Sequence, residues 1–171
     1  MPVIIAALVV VGLLCLLNLM LTVGILRRMR ADAEEYKPDR SSALRAGSAI
    51  GAFEVTTTDG EPITDETLAG TVAFFSAGCT ACHGLLPDFL AYARERGRGD
   101  VLAIVAGDEP DMVSALAEVS RVVTADLPGG PVAKAFRNTW TPALYLVSNR
   151  VVLATGAKLA DLPRRPVLSG S

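Results

Sequence analysis

Cys79 and Cys82 lie three positions apart, a spacing that suits the chemistry of a reactive thiol pair. A thiol attacks a disulfide only as its thiolate, and a free cysteine with a pKa of about 8.5 carries little thiolate at neutral pH. Cys79 follows a predicted buried strand and opens a predicted helix, so unpaired N–H groups and the helix dipole would stabilise a thiolate there. We therefore expect Cys79 to be the nucleophile. Cys82, one helical turn deeper, would be buried and would resolve a mixed disulfide.

The same spacing also serves metal and haem binding, because with His83 it spells C-x-x-C-H, the c-type haem attachment signature. A copper carrier would use both thiolates, and a haem module would add His83 as an axial ligand. Structural zinc is disfavoured because it needs four ligands, and two cysteines and one histidine lie outside the N-terminal apolar run. Copper and haem stay open as alternatives. In thiol chemistry no cofactor is expected, and His83 either is solvated on the helix surface or tunes the pKa of a cysteine.

Strand and helix patterns alternate around the cysteines, as an α/β domain requires. Residues 53–57 and the turn Asp59-Gly60 predict an entry strand or hairpin. Further predicted strands cover residues 71–76, 101–106, 122–125, 143–147 and 151–155, and the predicted helices cover 80–96, 108–119 and 132–137. This order predicts a mixed central sheet that is covered on both faces. The helix over 80–96 would place both cysteines in its first turn.

Thr141-Pro142 stands directly before the predicted strand over 143–147. Proline cannot donate a hydrogen bond to a sheet and restricts the residue before it, so an ordinary strand start explains this dipeptide. A cis peptide bond would instead turn the Thr141 backbone outward, beside the cysteines, where it could pair with an extended partner chain. Both interpretations stay open from these residues alone, and the second would make Thr141 and Pro142 the substrate-binding segment.

Length and charge limit the domain count and the partners. The 171 residues allow one domain of ordinary size, expected over 47–171, in addition to an apolar N-terminal run. The formal net charge is -2, and Lys and Arg are scattered rather than lined along one face, so no nucleic acid partner is expected. Three cysteines, one of them in the apolar run, do not make a disulfide framework.

Residues 2–26 are apolar except for Asn18 and Thr22, which predicts one transmembrane helix. At 1.5 Å per residue this run reaches about 37 Å, enough for a bilayer core of about 30 Å. A cleaved signal peptide fits less well, because no basic residue precedes the run and its length is too great. Lipidation of Cys15 is disfavoured because Leu14 stands where a lipoprotein signal has a small residue.

Two features of the chain predict opposite sides of the membrane for the domain that follows this helix. Arg27, Arg28 and Arg30 directly follow it, and the positive-inside rule then places the domain in the cytoplasm. A tethered redox domain has more to act on where disulfides persist, which favours the extracytoplasmic side. We expect the extracytoplasmic side and keep the cytoplasm as the alternative. Residues 27–46 are charged and Ala-rich and would form a juxtamembrane linker.

Over residues 47–156 the sequence resembles the thioredoxin superfamily, specifically the membrane-anchored TlpA-like and MauD-like proteins. The motifs, in chain order, are G-x-x-x-G-x-F over 47–53, Asp59-Gly60, Leu68-Ala69-Gly70, TVAFFSAGCTAC over 71–82, Pro87 and Thr141-Pro142. The resemblance implies a thioredoxin-like fold, a helix kinked at Pro87 and a cis-proline beside a Cys79–Cys82 disulfide. It also implies dithiol-disulfide exchange with client proteins and a redox partner that supplies or accepts electrons.

The sequence departs from the pattern of that family next to the cysteines. Gly78 stands where a tryptophan is usual, and Thr80-Ala81 lacks the usual proline. Leu85 replaces the acidic residue that many TlpA-like proteins carry three positions after Cys82. The reduction potential and the proton acceptor for Cys82 are therefore not implied by the resemblance.

Two other interpretations compete with the exchange enzyme. A peroxiredoxin-like peroxidase would also be thioredoxin-like, and Ser76-x-x-Cys79 resembles its peroxidatic site, although Val72 replaces the usual proline. A structural role in a membrane complex would instead use three residues on one face of the predicted membrane helix, Cys15, Asn18 and Thr22. We favour a membrane-anchored thiol-disulfide oxidoreductase.

Overall fold

The structure, a computed structural model, describes residues 4–5, 12–20, 43–126 and 128–163. The chain divides into two compact units, Met1–Pro38 and Asp39–Ser171. In the first unit the described residues are helical and exposed. The rest of the predicted transmembrane segment 2–26, and residues 27–42 of the predicted linker, lie outside the described residues. Among the helices of the described ranges, none combines the length and the apolar character that crossing a bilayer requires.

The second unit alternates strands and helices in the predicted order. Its strands are β1 (Glu54–Thr56), β2 (Pro62–Thr64), β3 (Gly70–Ser76), β4 (Val101–Ala106), β5 (Arg121–Ala125), β6 (Ala143–Ser148) and β7 (Val151–Gly156). Its helices are α1 (Thr80–Arg96), α2 (Pro110–Ala117) and α3 (Gly130–Ala135), with 3-10 turns at Arg98–Asp100 and Leu159–Asp161.

Strands β3 to β7 form one mixed sheet in the order β5-β4-β3-β6-β7, with β3 at its centre. β4 runs parallel to β3 and to β5, whereas β6 runs antiparallel to β3 and to β7. β1 and β2 form a separate antiparallel hairpin. The predicted fold class, an α/β domain with a mixed central sheet, is therefore confirmed.

Both faces of the sheet are covered, so β3 is buried from Thr71 to Phe75. Successive side chains of a strand point to opposite faces, and alternate residues of β3 therefore enter two separate hydrophobic clusters. Val72 and Phe74 pack with residues of the β1–β2 hairpin and α3. Ala73 and Phe75 pack with residues of α1 and α2. The predicted covering of both sheet faces is confirmed.

Helix α1 has the predicted bounds, and the two shorter helices differ from theirs. α2 begins at Pro110 instead of residue 108, because a proline suits the first helical turn, where its missing N–H has no helical partner to bond. α3 includes Pro131 in its first turn for the same reason. It ends at Ala135 because Arg137 adopts a φ of 49°, which is incompatible with a right-handed helix.

Gly70, the first residue of β3, has a φ of 104°, and a Cβ atom there would overlap the backbone of Asp100. We expect Gly70→Ala to lower the free energy of unfolding by about 1–3 kcal/mol, because it imposes both a strained backbone and a clash. Gly84→Ala in α1 is the matched control, since a Cβ there meets nothing within 4 Å. It should raise the free energy of unfolding by about 0.5–1 kcal/mol. Urea unfolding measures both values, and shifts of the same sign would contradict the prediction.

Candidate active site

Cys79 and Cys82 form a disulfide at the amino end of α1, with their Cα atoms 5.2 Å apart. Cys79 is the N-cap residue of the helix, and its Sγ accepts the N–H of Cys82 at 3.1 Å. The carbonyl oxygen of Cys79 accepts N–H groups from Cys82 at 2.9 Å and from His83 at 3.2 Å. Cys82 is fully buried, whereas Cys79 is half-buried. Cys79 is therefore the sulfur of the pair that a partner can reach.

The pairing of β3 with β6 brings Thr141-Pro142 to the same edge of the sheet as the disulfide. Phe74 pairs with Ala143, and the continuing register sets Ser76 beside Thr141. The hydroxyl oxygens of Ser76 and Thr141 lie 2.7 Å apart and share a hydrogen bond. The Thr141-Pro142 peptide bond is cis, as the resemblance implies. The cis-proline segment thus lies next to the strand end from which the chain enters Cys79.

The buried side chain of Asn138 joins the backbone before the cis-proline to a side chain that follows it. Asn138 donates from Nδ2 to the carbonyl oxygen of Trp140 at 2.8 Å, and its Oδ1 accepts the hydroxyl of Tyr145 at 3.0 Å. Burial raises the pKa of Tyr145 to about 12, partly offset by a hydrogen bond to Thr155, so the hydroxyl stays protonated and donates. Because a buried polar group without a partner is costly, these bonds hold Trp140, the residue directly before Thr141-Pro142, in place.

Glu109 is a site residue that the sequence reasoning missed. Its Oε1 accepts the backbone N–H of Gly78 at 3.1 Å, and Nε2 of His83 lies 3.6 Å from the same oxygen. The side chain of His83 is 50% exposed, so it lies on the helix surface and beside a carboxylate. Its position in the sequence could have indicated this contact, because Glu109 closely follows β4, and the carboxyl ends of the parallel strands β3 and β4 meet at one edge of the sheet.

The structure also shows the surroundings of the residues on which the competing interpretations depend. Within the described ranges, no group of three or more His, Cys, Asp or Glu side chains is arranged to hold a metal ion. Copper or haem binding through Cys79, Cys82 and His83 therefore stays a prediction, to which the described residues add no fourth ligand. Ser76, the serine of the peroxidatic-like motif, directs its hydroxyl to Thr141. Cys15 is exposed and lies in the other unit.

The architecture and the position of the disulfide define a thioredoxin-like α/β domain. Among solved structures, a thio-disulfide isomerase from Thermus thermophilus matches with a TM-score of 0.54 at 21% identity, covering 67% of this chain and 87% of its own. The thioredoxin domain of a thiol-disulfide oxidoreductase from Bacteroides vulgatus matches with a TM-score of 0.54 at 20% identity, covering 70% and 94%.

A thiol:disulfide interchange protein of the thioredoxin family from Chlorobium tepidum matches with a TM-score of 0.50 at 19% identity, covering 70% of this chain and 93% of its own. No protein-family model matches the sequence, and no curated protein matches it. Identities of this size establish the fold alone. The predicted thioredoxin-like fold is confirmed.

The Ser76–Thr141 hydrogen bond links the two halves of the site, and its contribution is measurable. We expect Ser76→Ala to lower the free energy of unfolding by about 0.5–1.5 kcal/mol, because the hydroxyl of Thr141 loses its half-buried partner. Ser114→Ala, at an exposed position of α2, is the control and should change this energy by less than about 0.5 kcal/mol. Urea unfolding of the oxidised proteins makes the comparison. Equal values for the two variants would show that the bond does not stabilise the site.

Proposed function

We propose that the protein is a thiol-disulfide oxidoreductase that exchanges its Cys79–Cys82 disulfide with client proteins. The observation that carries this proposal is the position of the pair: a reachable sulfur caps a helix, and a buried sulfur lies one turn deeper. The solved proteins of similar fold are described as a thio-disulfide isomerase and a thiol-disulfide oxidoreductase, which supports the same chemistry here.

Reduction of a client would proceed in two exchanges. The Cys79 thiolate attacks a client disulfide, which forms a mixed disulfide and releases one client thiolate that takes up a proton. Cys82 then loses its proton and attacks Sγ of Cys79, which restores the Cys79–Cys82 disulfide and releases the second client thiolate. The client gains two electrons and two protons, and the dithiol loses them. The reverse sequence would oxidise a client dithiol.

The helix end supports the first step of this sequence. In the disulfide form, Sγ of Cys79 already accepts the N–H of Cys82, and the same donor would stabilise a thiolate after reduction. The positive end of the helix dipole acts in the same direction. Helix α1 carries no acidic residue in its first turn, so its own side chains do not oppose this effect.

The cis-proline segment would hold the client next to the disulfide. Thr141 is half-buried at the end of the sheet, and its side-chain hydroxyl is hydrogen-bonded to that of Ser76. The backbone groups of Thr141 would pair with an extended client segment. Substrate binding by Thr141 and Pro142 is part of the proposal.

Cys82→Ser should trap a client on Cys79, because the mixed disulfide forms but is no longer resolved. We expect adducts in membranes from cells that produce the full-length variant, visible on non-reducing gels and lost on addition of dithiothreitol. Cys79→Ser/Cys82→Ser is the control and should trap nothing. If folded Cys82→Ser gives no thiol-sensitive adduct at Cys79 by mass spectrometry, the exchange function is wrong.

Anchoring to a membrane is a second part of the proposal, and it rests on the hydropathy of residues 2–26. We place the redox domain on the extracytoplasmic side, where client disulfides persist. The three arginines that follow the apolar run, Arg27, Arg28 and Arg30, argue for the opposite orientation. Labelling of intact cells separates the two.

Ser41→Cys, made in a chain whose own cysteines are replaced by serine, introduces a single thiol between the apolar run and the domain. We expect a membrane-impermeant maleimide to label it in intact cells, because the proposed orientation exposes this segment outside the cytoplasm. The cysteine-free chain is the control for background labelling. Labelling only after lysis would place the domain in the cytoplasm.

A further inference from the structure

Glu109 brings a carboxylate to the turn that carries the reachable cysteine. Gly78 directly precedes Cys79, and its N–H is bonded to Oε1 of Glu109 at 3.1 Å. The side chain of Glu109 is only 24% exposed, so water screens its charge less than at an open surface position. The position of the carboxylate is therefore set by the same turn that positions Cys79.

A negative charge here has a defined effect on the exchange chemistry. The disulfide form carries no charge on sulfur, whereas the reduced form ionises at Cys79 during reaction. A nearby carboxylate repels this thiolate and so disfavours the reduced form relative to the disulfide. Glu109 thus acts against the stabilisation that the N–H of Cys82 and the helix end provide.

His83 lies where it would weaken the effect of Glu109. Its Nε2 is 3.6 Å from Oε1 of Glu109, a distance at which a protonated imidazole forms an ion pair with the carboxylate. A neutral imidazole leaves the carboxylate charge uncompensated. Two more acidic residues, Asp108 in the same loop and Asp126 directly after β5, line a cavity that Glu109 also lines.

We propose that Glu109 is a positioning residue for the exchange reaction: it holds Gly78 beside Cys79, and its charge shifts the pair toward the disulfide form. The protein is then a stronger reductant than the cysteine geometry alone would make it. This inference rests on the exchange function proposed for Cys79 and Cys82.

Two substitutions separate the charge of Glu109 from its hydrogen bond. Glu109→Gln keeps an oxygen that accepts the N–H of Gly78 and removes the charge. Glu109→Ala removes both. Asp111→Asn, at an exposed position in the first turn of α2, is the matched control because it removes one nearby carboxylate charge without touching Gly78.

The first measurement is the thiol-disulfide equilibrium of the full-length protein in glutathione buffers at neutral pH. We expect Glu109→Gln to shift this equilibrium toward the dithiol by about three- to tenfold, where tenfold corresponds to about 30 mV. Asp111→Asn should shift it by less than about twofold. Glu109→Ala should shift it in the same direction as Glu109→Gln and should also lower stability to urea, because Gly78 loses its acceptor.

The second measurement is the rate at which iodoacetamide alkylates Cys79 in the reduced protein across a pH series, followed by mass spectrometry of the Cys79 peptide. Glu109→Gln should react faster than the wild type, because a larger fraction of Cys79 is thiolate. His83→Gln should react more slowly than the wild type at low pH, and the difference should vanish as the imidazole of the wild type loses its proton. The opposite signs of these two variants distinguish electrostatic control from a structural role.

An equilibrium for Glu109→Gln within twofold of the control, with an unchanged alkylation profile, would overturn the inference, even if Glu109→Ala is destabilised. If Glu109→Gln does not fold, His83→Gln at its exposed position carries the test, and an unchanged pH profile overturns the inference. Failure of the exchange function would look different, because folded Cys82→Ser would then trap no thiol-sensitive adduct while the wild-type pair still equilibrates with glutathione.

Discussion

The antiparallel pairing of β3 with β6 is the constraint on which the site depends. It brings into hydrogen-bond contact two hydroxyls, of Ser76 and Thr141, that are separated by 65 positions in the chain. The same register decides which side chains of β3 enter each core cluster, because a slip of one residue would exchange Phe74 and Phe75 between the sheet faces. Packing of the core and geometry of the site therefore depend on one register.

Each half of the site is supported by its own aromatic contacts. On one face, the rings of Phe75 and Phe89 meet edge to face at 5.2 Å and hold α1, which carries the cysteines. On the other face, the ring centroids of Phe136 and Tyr145 lie 4.9 Å apart, and Phe74 packs edge-on against both. Tyr145 continues into the hydrogen bonds that hold the cis-proline segment. The central strand thus anchors both halves through adjacent residues that point in opposite directions.

One departure from the sequence pattern of the proteins that this chain resembles has a physical explanation. Gly78 adopts a φ of 70°, a conformation that glycine takes without strain and that a tryptophan would take only at a cost. This conformation accompanies the hydrogen bond from its N–H to Glu109. The turn before Cys79 is therefore built around a backbone contact to a carboxylate, at the position where the resembling proteins usually carry a tryptophan.

The sequence alone determined the element order, the fold class and the position of both cysteines at the start of α1, because local periodicity and turn residues carry this information. The motif pattern also indicated a cis bond at Thr141-Pro142. The bounds of the shorter helices needed the structure, since a proline or a left-handed residue sets them. Only the tertiary structure decided the contacts of Glu109 with Gly78 and His83 and of Ser76 with Thr141. These contacts join side chains from different loops, and their distances follow from sheet register and packing, which no local pattern encodes.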